Sequence, residues 1–173
     1  MSIDRLRDPV ESVYSHGITC STQVDTELLA KGFAGCAEPG DVFLLSGLIG
    51  TGKSVFARAL IQKLLEPFDP GAEIPSPTYT IVQTYHAGQV RIWHADLYRL
   101  KDTSELNELG FDEAFEADIC LIEWPELLGT RAPACATRIH FQHINDKPES
   151  RLVKIDPGRE EIRTAFFGGA LLQ

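Results

Sequence analysis

A glycine-rich loop between an apolar run and an amphipathic segment constrains the fold of this chain most strongly. Residues 41–45 read DVFLL, and residues 47–54 read GLIGTGKS, which matches the pattern Gly-x4-Gly-Lys-Ser/Thr. Glycines let the backbone wrap an anion with its N–H groups pointing inward, and a following helix directs its positive end there. The pattern therefore predicts a buried strand, a phosphate-binding loop and a helix over residues 53–65.

Individual residues of this loop have separate predicted tasks. Gly47, Gly50 and Gly52 supply the backbone freedom that a phosphate cradle needs. The Lys53 ammonium can reach the terminal phosphates of a nucleotide, and the Ser54 hydroxyl can coordinate Mg²⁺. The loop therefore predicts a nucleotide with its magnesium ion as the ligand.

The rest of the chain alternates between strand and helix patterns. A helix capped by Ser21 or Thr22 is predicted to run through Phe33, and two shorter helices to begin at Asp102 and Phe111. Besides the strand before the loop, five runs of apolar or β-branched residues are predicted strands. They are residues 79–85, 90–97, 119–123, 139–144 and 152–155.

This alternation predicts an α/β fold, a three-layer P-loop NTPase-like domain. A hairpin turn at residues 86–89 would make part of the sheet antiparallel, so the sheet is expected to be mixed. We expect a single P-loop domain over residues 19–157. Residues 1–18 are predicted to be a loose lead-in, and residues 158–173 a tail of uncertain structure.

Composition and charge limit the kinds of partner. The chain has 173 residues, 43% of them hydrophobic, which suffices for a real core at this length. Its net charge of −9 argues against a protein that coats nucleic acid by bulk electrostatics. A local contact to RNA inside a larger complex stays open.

Cysteine spacing and hydropathy indicate where in the cell the protein is expected. The four cysteines form no Cys-x-x-Cys pair and lack the spacing of zinc ligands. The first residues contain no apolar core of a signal peptide, and no run is long enough to span a membrane. We therefore expect a cytoplasmic protein without membrane contact.

Two carboxylates are candidates to complete the site. Glu123 closes the apolar run ICLIE, and Asp96 ends the return strand of the predicted hairpin. Ligands of open α/β sheets gather at the carboxyl ends of strands, so either acid could hold Mg²⁺ directly or through water. Period-two alternation places His94 on the same face as Asp96, where a supporting or core role is favoured over acid–base catalysis.

Three classes of protein could carry such a loop in a chain of this length. A GTPase is disfavoured because the chain lacks Asn-Lys-x-Asp. A small-molecule kinase would carry Asp-x-Asp after the first helix and an arginine-rich lid. Residues 68–80 contain no such pair, and Arg131 and Arg138 are scattered. An assembly switch that binds nucleotide without required turnover uses the same loop as an ATPase, so that alternative stays open.

Three further stretches follow the loop in a fixed order. They are SPTYT (76–80), HADLYRL (94–100) and LIEWPE (121–126). Together with the loop they resemble the TsaE family, the bacterial P-loop ATPase of tRNA threonylcarbamoyladenosine biosynthesis. The resemblance covers roughly residues 20–155.

The resemblance implies a function in a complex. It implies weak ATP hydrolysis with Mg²⁺ that becomes useful together with the TsaB and TsaD proteins. TsaD installs the threonylcarbamoyl group on tRNA, and the TsaE-like ATPase supports repeated cycles of that reaction. Contact with tRNA is therefore expected to be indirect, through the TsaB–TsaD complex.

The resemblance also implies roles for residues outside the loop. Thr78 matches a switch-like threonine near the terminal phosphate, and Asp96 an acid beside the metal or the attacking water. Glu123 matches a metal-associated acid, and Trp124 the tryptophan next to it. Gln23 falls where the family approaches the nucleotide.

Within the loop, Ser54 replaces a threonine of the family and keeps the hydroxyl. The resemblance implies that the other residues of the loop, as well as its glycines, contact the nucleotide. The positions that match the family's nucleotide-binding loop are Ile49, Gly50, Thr51, Gly52, Lys53 and Ser54. Leu48 stands where the family usually has aspartate, so a polar role of that side chain is not expected.

Overall fold

One seven-stranded sheet organises the fold. A computed structural model of the chain describes residues 16–167. The strands are β1 (His16–Cys20), β2 (Val42–Gly47), β3 (Val82–Ala87), β4 (Val90–Asp96), β5 (Ile119–Glu123), β6 (Thr137–Ile144) and β7 (Lys147–Asp156). The α-helices are α1 (Gln23–Ala34), α2 (Lys53–Leu65), α3 (Phe111–Ala117) and α4 (Glu160–Phe167). Short 3₁₀ helices cover Leu97–Arg99, Glu105–Glu108 and Pro125–Arg131.

The sheet is mixed, as the sequence predicts. Its strand order is β1-β7-β6-β2-β5-β4-β3. The four central strands run parallel, with β2 between β6 and β5 and with β4 beside β5. The hairpins β3–β4 and β6–β7 and the edge strand β1 contribute the antiparallel pairs.

The helices form layers on both faces of this sheet. Phe43 and Leu45 of β2 belong to the core cluster that α1 and α2 cover, while Val42 and Leu44 belong to the cluster that α3 covers. Phe56 of α2 contacts both Phe33 of α1 and Phe141 of β6, with ring centroids 5.7 and 5.6 Å apart. The predicted three-layer α/β fold is therefore confirmed.

The strand predicted over residues 79–85 begins three residues later, at Val82. The segment before it is a turn, in which the Ile81 N–H donates to the Pro77 carbonyl over 2.7 Å. Ile81 has φ of 67°. The prediction failed because β-branched composition reports strand propensity but cannot show where sheet pairing begins.

The helix predicted from Asp102 to Gly110 is likewise wrong. A 3₁₀ turn covers Glu105–Glu108, and Gly110, with φ of 75°, forms the N-cap of α3. Strand β4 also ends one residue before its prediction, at Asp96, so Tyr98 lies in a 3₁₀ helix. A glycine with positive φ can precede a helix as well as follow one, and the sequence does not distinguish the two.

Both ends contain more structure than the sequence suggests. Residues 16–18, predicted to be part of a loose lead-in, belong to β1, which pairs with β7. The tail predicted from residue 158 includes α4, whose Ile162 is buried in the core. Residues 1–15 and 168–173 lie outside the described part of the chain.

No helix within residues 16–167 is both long and apolar enough to cross a bilayer.

Candidate functional site

The glycine-rich loop connects β2 to α2, as its pattern predicts. Gly47, Gly50 and Gly52 have φ of 125°, 74° and 107°, in the region that favours glycine. A Cβ at Gly47 would lie 2.2 Å from the carbonyl oxygen of Phe141 on β6. The first N–H groups of α2 have no intrahelical acceptor. These N–H groups lie at the end of the loop, and an anion bound there can accept their hydrogen bonds.

Lys53 is almost fully buried at the base of the loop. Its Nζ donates to the carbonyls of Gly47 and Leu48 over 2.8 and 2.9 Å. The same ammonium lies 4.0 Å from the centroid of the Trp124 ring, a cation–π contact. Burial lowers the pKa of Lys53, and the nearby carboxylates, Glu123 first among them, oppose that shift.

The two acids predicted at strand ends are direct neighbours. Asp96 of β4 and Glu123 of β5 are register partners in the parallel pair. Both are buried, with exposures of 5% and 1%. Their side chains meet the hydroxyls predicted for the site. Ser54 Oγ donates to Glu123 Oε2 over 2.7 Å, and Thr78 Oγ1 donates to Asp96 Oδ2 over 3.0 Å.

Trp124 follows β5 in an unusual backbone conformation. Its φ and ψ are 56° and 55°, a left-handed conformation that is rare for a bulky side chain. The conformation turns the chain out of the sheet and places the indole between Lys53 and Tyr98, whose ring centroid is 4.9 Å away. Such strain often lies at functional sites, where the surroundings hold it in place.

These groups border a cleft of about 430 Å³. Most of the predicted site residues line it. They are Gln23, Ile49, Gly50, Gly52, Lys53, Ser54, Thr78, Asp96 and Trp124. Glu123 lies behind Ser54 as its hydrogen-bond acceptor, while Gly47 and Thr51 shape the loop from within. Leu48 is 71% exposed on the loop.

The cleft also has walls that sequence reasoning missed or left aside. Thr22, the N-cap of α1, lines it together with Thr26 of α1 and Arg58 of α2, and Glu149 and Arg151 line it from β7. Arg151 donates to the carbonyl of Gly50 over 3.3 Å, at the tip of the loop. Helical spacing could have indicated Arg58, one turn after Ser54, but the approach of β7 depends on the sheet order.

The donor set suits a magnesium ion that is shared with phosphates. Ser54, Asp96 and Glu123 offer hard oxygen ligands, which Mg²⁺ prefers. The described residues contain no group of three or more His, Cys, Asp and Glu side chains that could hold a metal by themselves. Mg²⁺ usually keeps several waters and substrate phosphates among its ligands, so one or two carboxylates and a hydroxyl are sufficient.

The loop, the parallel central strands and the paired acids define an α/β domain of the P-loop type. The family model for "Threonylcarbamoyl adenosine biosynthesis protein TsaE" matches residues 20–153. The chain belongs to the TsaE family, which acts in tRNA threonylcarbamoyladenosine biosynthesis.

Relatives and a solved structure agree with this assignment. The TsaE protein of Rickettsia bellii is 34% identical over 78% of this chain and 90% of its own length. That of Bacillus subtilis is 35% identical over 70% of this chain and 74% of its own. The match to the Rickettsia conorii protein, 41% identical over 64% of this chain, spans 61% of that relative. The fold is also similar to the crystal structure of Bacillus subtilis YdiB, with a TM-score of 0.69. The two sequences are 25% identical, and the superposition covers 91% of this chain and 93% of the YdiB chain.

Proposed function

We propose that this chain is a cytosolic ATPase that binds ATP with Mg²⁺, hydrolyses it slowly, and supports tRNA threonylcarbamoyladenosine formation in a complex with TsaB and TsaD. The observation that carries the ATPase proposal is that Lys53, Ser54 and Asp96 line one cleft, with Glu123 hydrogen-bonded to Ser54 behind it. Family membership supports the pathway.

The site residues have distinct tasks in this proposal. The loop N–H groups and Lys53 hold the phosphates and offset the negative charge that spreads over them during transfer. Ser54 and Glu123 would hold Mg²⁺, which when bound neutralises phosphate charge and orients the reacting oxygens. Asp96, together with the Thr78 hydroxyl that it binds, would orient water near the terminal phosphate.

The geometry favours this proposal over a small-molecule kinase. Arg131 bonds to Asp112 and Asn107, and Arg138 lies 3.7 Å from Asp156. Neither arginine lines the cleft. Arg131 and Arg138 therefore form no lid over the cleft, and the arginines that do line it, Arg58 and Arg151, come from α2 and β7. The cleft walls supply groups that suit phosphates and metal.

Lys53→Ala tests the nucleotide site. The substitution removes the positive charge at the base of the loop, so calorimetry should show the loss of tight ATP binding. Lys63→Ala is the matched control, since Lys63 lies on the same helix, is half-exposed and pairs with Glu66. An unchanged affinity of the Lys53 variant would overturn the nucleotide assignment.

The partner assignment is tested by ATP hydrolysis with and without TsaB, TsaD and tRNA. We expect phosphate release to be slow for the isolated chain and to rise at least tenfold in the complete mixture. Equal rates in both would contradict the proposed complex. Stoichiometric phosphoryl transfer to a small molecule would support a kinase. Repeated modification by a hydrolysis-dead variant would support a switch that needs no turnover.

A further inference from the structure

His94 is a fully buried imidazole at a position where packing alone does not require a polar side chain. It lies on β4 two residues before Asp96, with 0% of its surface exposed. Its Nε2 is 2.9 Å from Glu123 Oε1. Its Nδ1 is buried and, among the described residues, has no hydrogen-bond partner.

That arrangement is unfavourable for stability alone. A buried polar atom without a partner loses its hydration and gains nothing in return. Ile92, two residues earlier on the same face of β4, is also fully buried and is apolar. An aliphatic residue at position 94 would therefore fill the space without leaving an unpartnered nitrogen.

The contact with Glu123 supplies the missing reason. An ionised carboxylate only accepts hydrogen bonds, so the His94 Nε2–H donates to Oε1. The other oxygen, Oε2, accepts from Ser54 Oγ over 2.7 Å. Each Glu123 oxygen thus has one donor, and the two donors come from two different elements, β4 and the start of α2.

We propose that His94 is a positioning residue that holds Glu123 in the orientation required beside Ser54. A carboxylate with one free oxygen can rotate about its terminal torsion, which is broad. Anchoring Oε1 restricts that rotation and directs Oε2 to the hydroxyl at the start of the helix. Preorganisation of this kind is typical of the groups that surround a metal-binding carboxylate. The inference rests on the proposed function, because it gives Glu123 its task.

The test compares His94→Gln with His94→Leu. The glutamine amide retains an N–H donor near the position of Nε2, whereas leucine fills the space without one. We expect the leucine variant to bind ATP in EDTA within about threefold of the wild type. Its kcat should be at least tenfold lower than that of the wild type. The increase in ATP affinity that Mg²⁺ causes should also be at least tenfold smaller. The glutamine variant should recover most of both.

Stability measurements separate positioning from folding. Thermal unfolding of each variant shows whether it remains folded at the assay temperature, and Ile92→Val is the matched control for a disturbed strand β4. That control should lower the unfolding temperature without changing the Mg²⁺ dependence. A folded leucine variant with normal kcat and Mg²⁺ dependence would overturn the inference, as would a glutamine variant no better than leucine.

Failure of the proposed function gives a different result. A wild-type chain that neither binds nor hydrolyses ATP overturns the ATPase itself. A wild-type chain that does both, alongside an equally active and folded His94→Leu variant, overturns the role of His94 alone.

Discussion

Glu123 illustrates how the surroundings of one side chain define its possible chemistry. In the sequence it is an acid at the end of an apolar run, and such acids are usually solvated. In the structure it is 1% exposed and accepts hydrogen bonds from Ser54 and His94. In the proposed function, this buried carboxylate beside the glycine-rich loop acts on the ligand of that loop.

Glu123→Ala should leave ATP bound through the loop, without the gain in affinity that Mg²⁺ gives, and slow its hydrolysis. The loop N–H groups and Lys53 remain, but the site loses an acid that we assign to the metal. We expect at least a tenfold loss of turnover, equivalent to about 1.4 kcal/mol of barrier. Single-turnover hydrolysis and calorimetry measure the two effects separately.

Glu116→Ala is the control for that substitution, since Glu116 is an exposed acid on α3. It should hydrolyse ATP at the wild-type rate. A Glu123 variant that did the same would show that the buried carboxylate is structural.

At the scale of elements, local sequence patterns predicted helix α2 and the start of helix α1 correctly. The helix predicted over residues 53–65 is α2 with the same bounds, and Thr22 caps α1 as expected. Asp25 completes the cap through a bond from the Thr22 N–H over 3.0 Å. These features depend on neighbours three or four residues apart, which the sequence displays directly.

Helix α4 shows what local pattern missed. Arg159, just before it, donates to both oxygens of Asp41 over 3.0 and 3.1 Å and to the Cys36 carbonyl over 2.8 Å. The Asp41 side chain is only 8% exposed. The contacts join residues more than a hundred positions apart, so the sequence around α4 contained no sign of them.

Arg159→Ala should destabilise the fold by about 2 kcal/mol, because the buried Asp41 carboxylate loses its charged partner and keeps the hydrogen bond from the Glu38 N–H. Chemical denaturation measures the change in the free energy of unfolding. Arg163→Ala is the control, since Arg163 pairs with Glu160 at the exposed surface, and it should cost less than about 0.5 kcal/mol. Equal effects of the two substitutions would argue against an anchoring role of Arg159.

At the scale of the whole molecule, the cleft joins distant parts of the chain. Its walls come from α1, the loop, α2, the turn before β3, the end of β4, the residue after β5 and the start of β7. A ligand that contacts all of these binds the folded chain and not the unfolded one. Binding should therefore be visible as stabilisation of the entire fold.

ATP with Mg²⁺ at a hundred times its dissociation constant should stabilise the fold by about 2.7 kcal/mol. For a chain of this size that corresponds to a rise of about 5–10 °C in the unfolding temperature. Thermal unfolding monitored by circular dichroism checks it, with Lys53→Ala as the variant that should show no rise. A wild-type chain without any shift would contradict ATP binding.

The sequence by itself determined the glycine-rich loop, the helix after it and the carboxylates at strand ends. Each is a short-range pattern, set by glycine conformations, helical periodicity or the end of an apolar run. The tertiary structure alone decided that Asp96 and Glu123 are register partners, that Trp124 covers Lys53, and that Arg151 reaches Gly50. These contacts depend on strand order and register, which arise from packing of the whole sheet and are not encoded in any one segment.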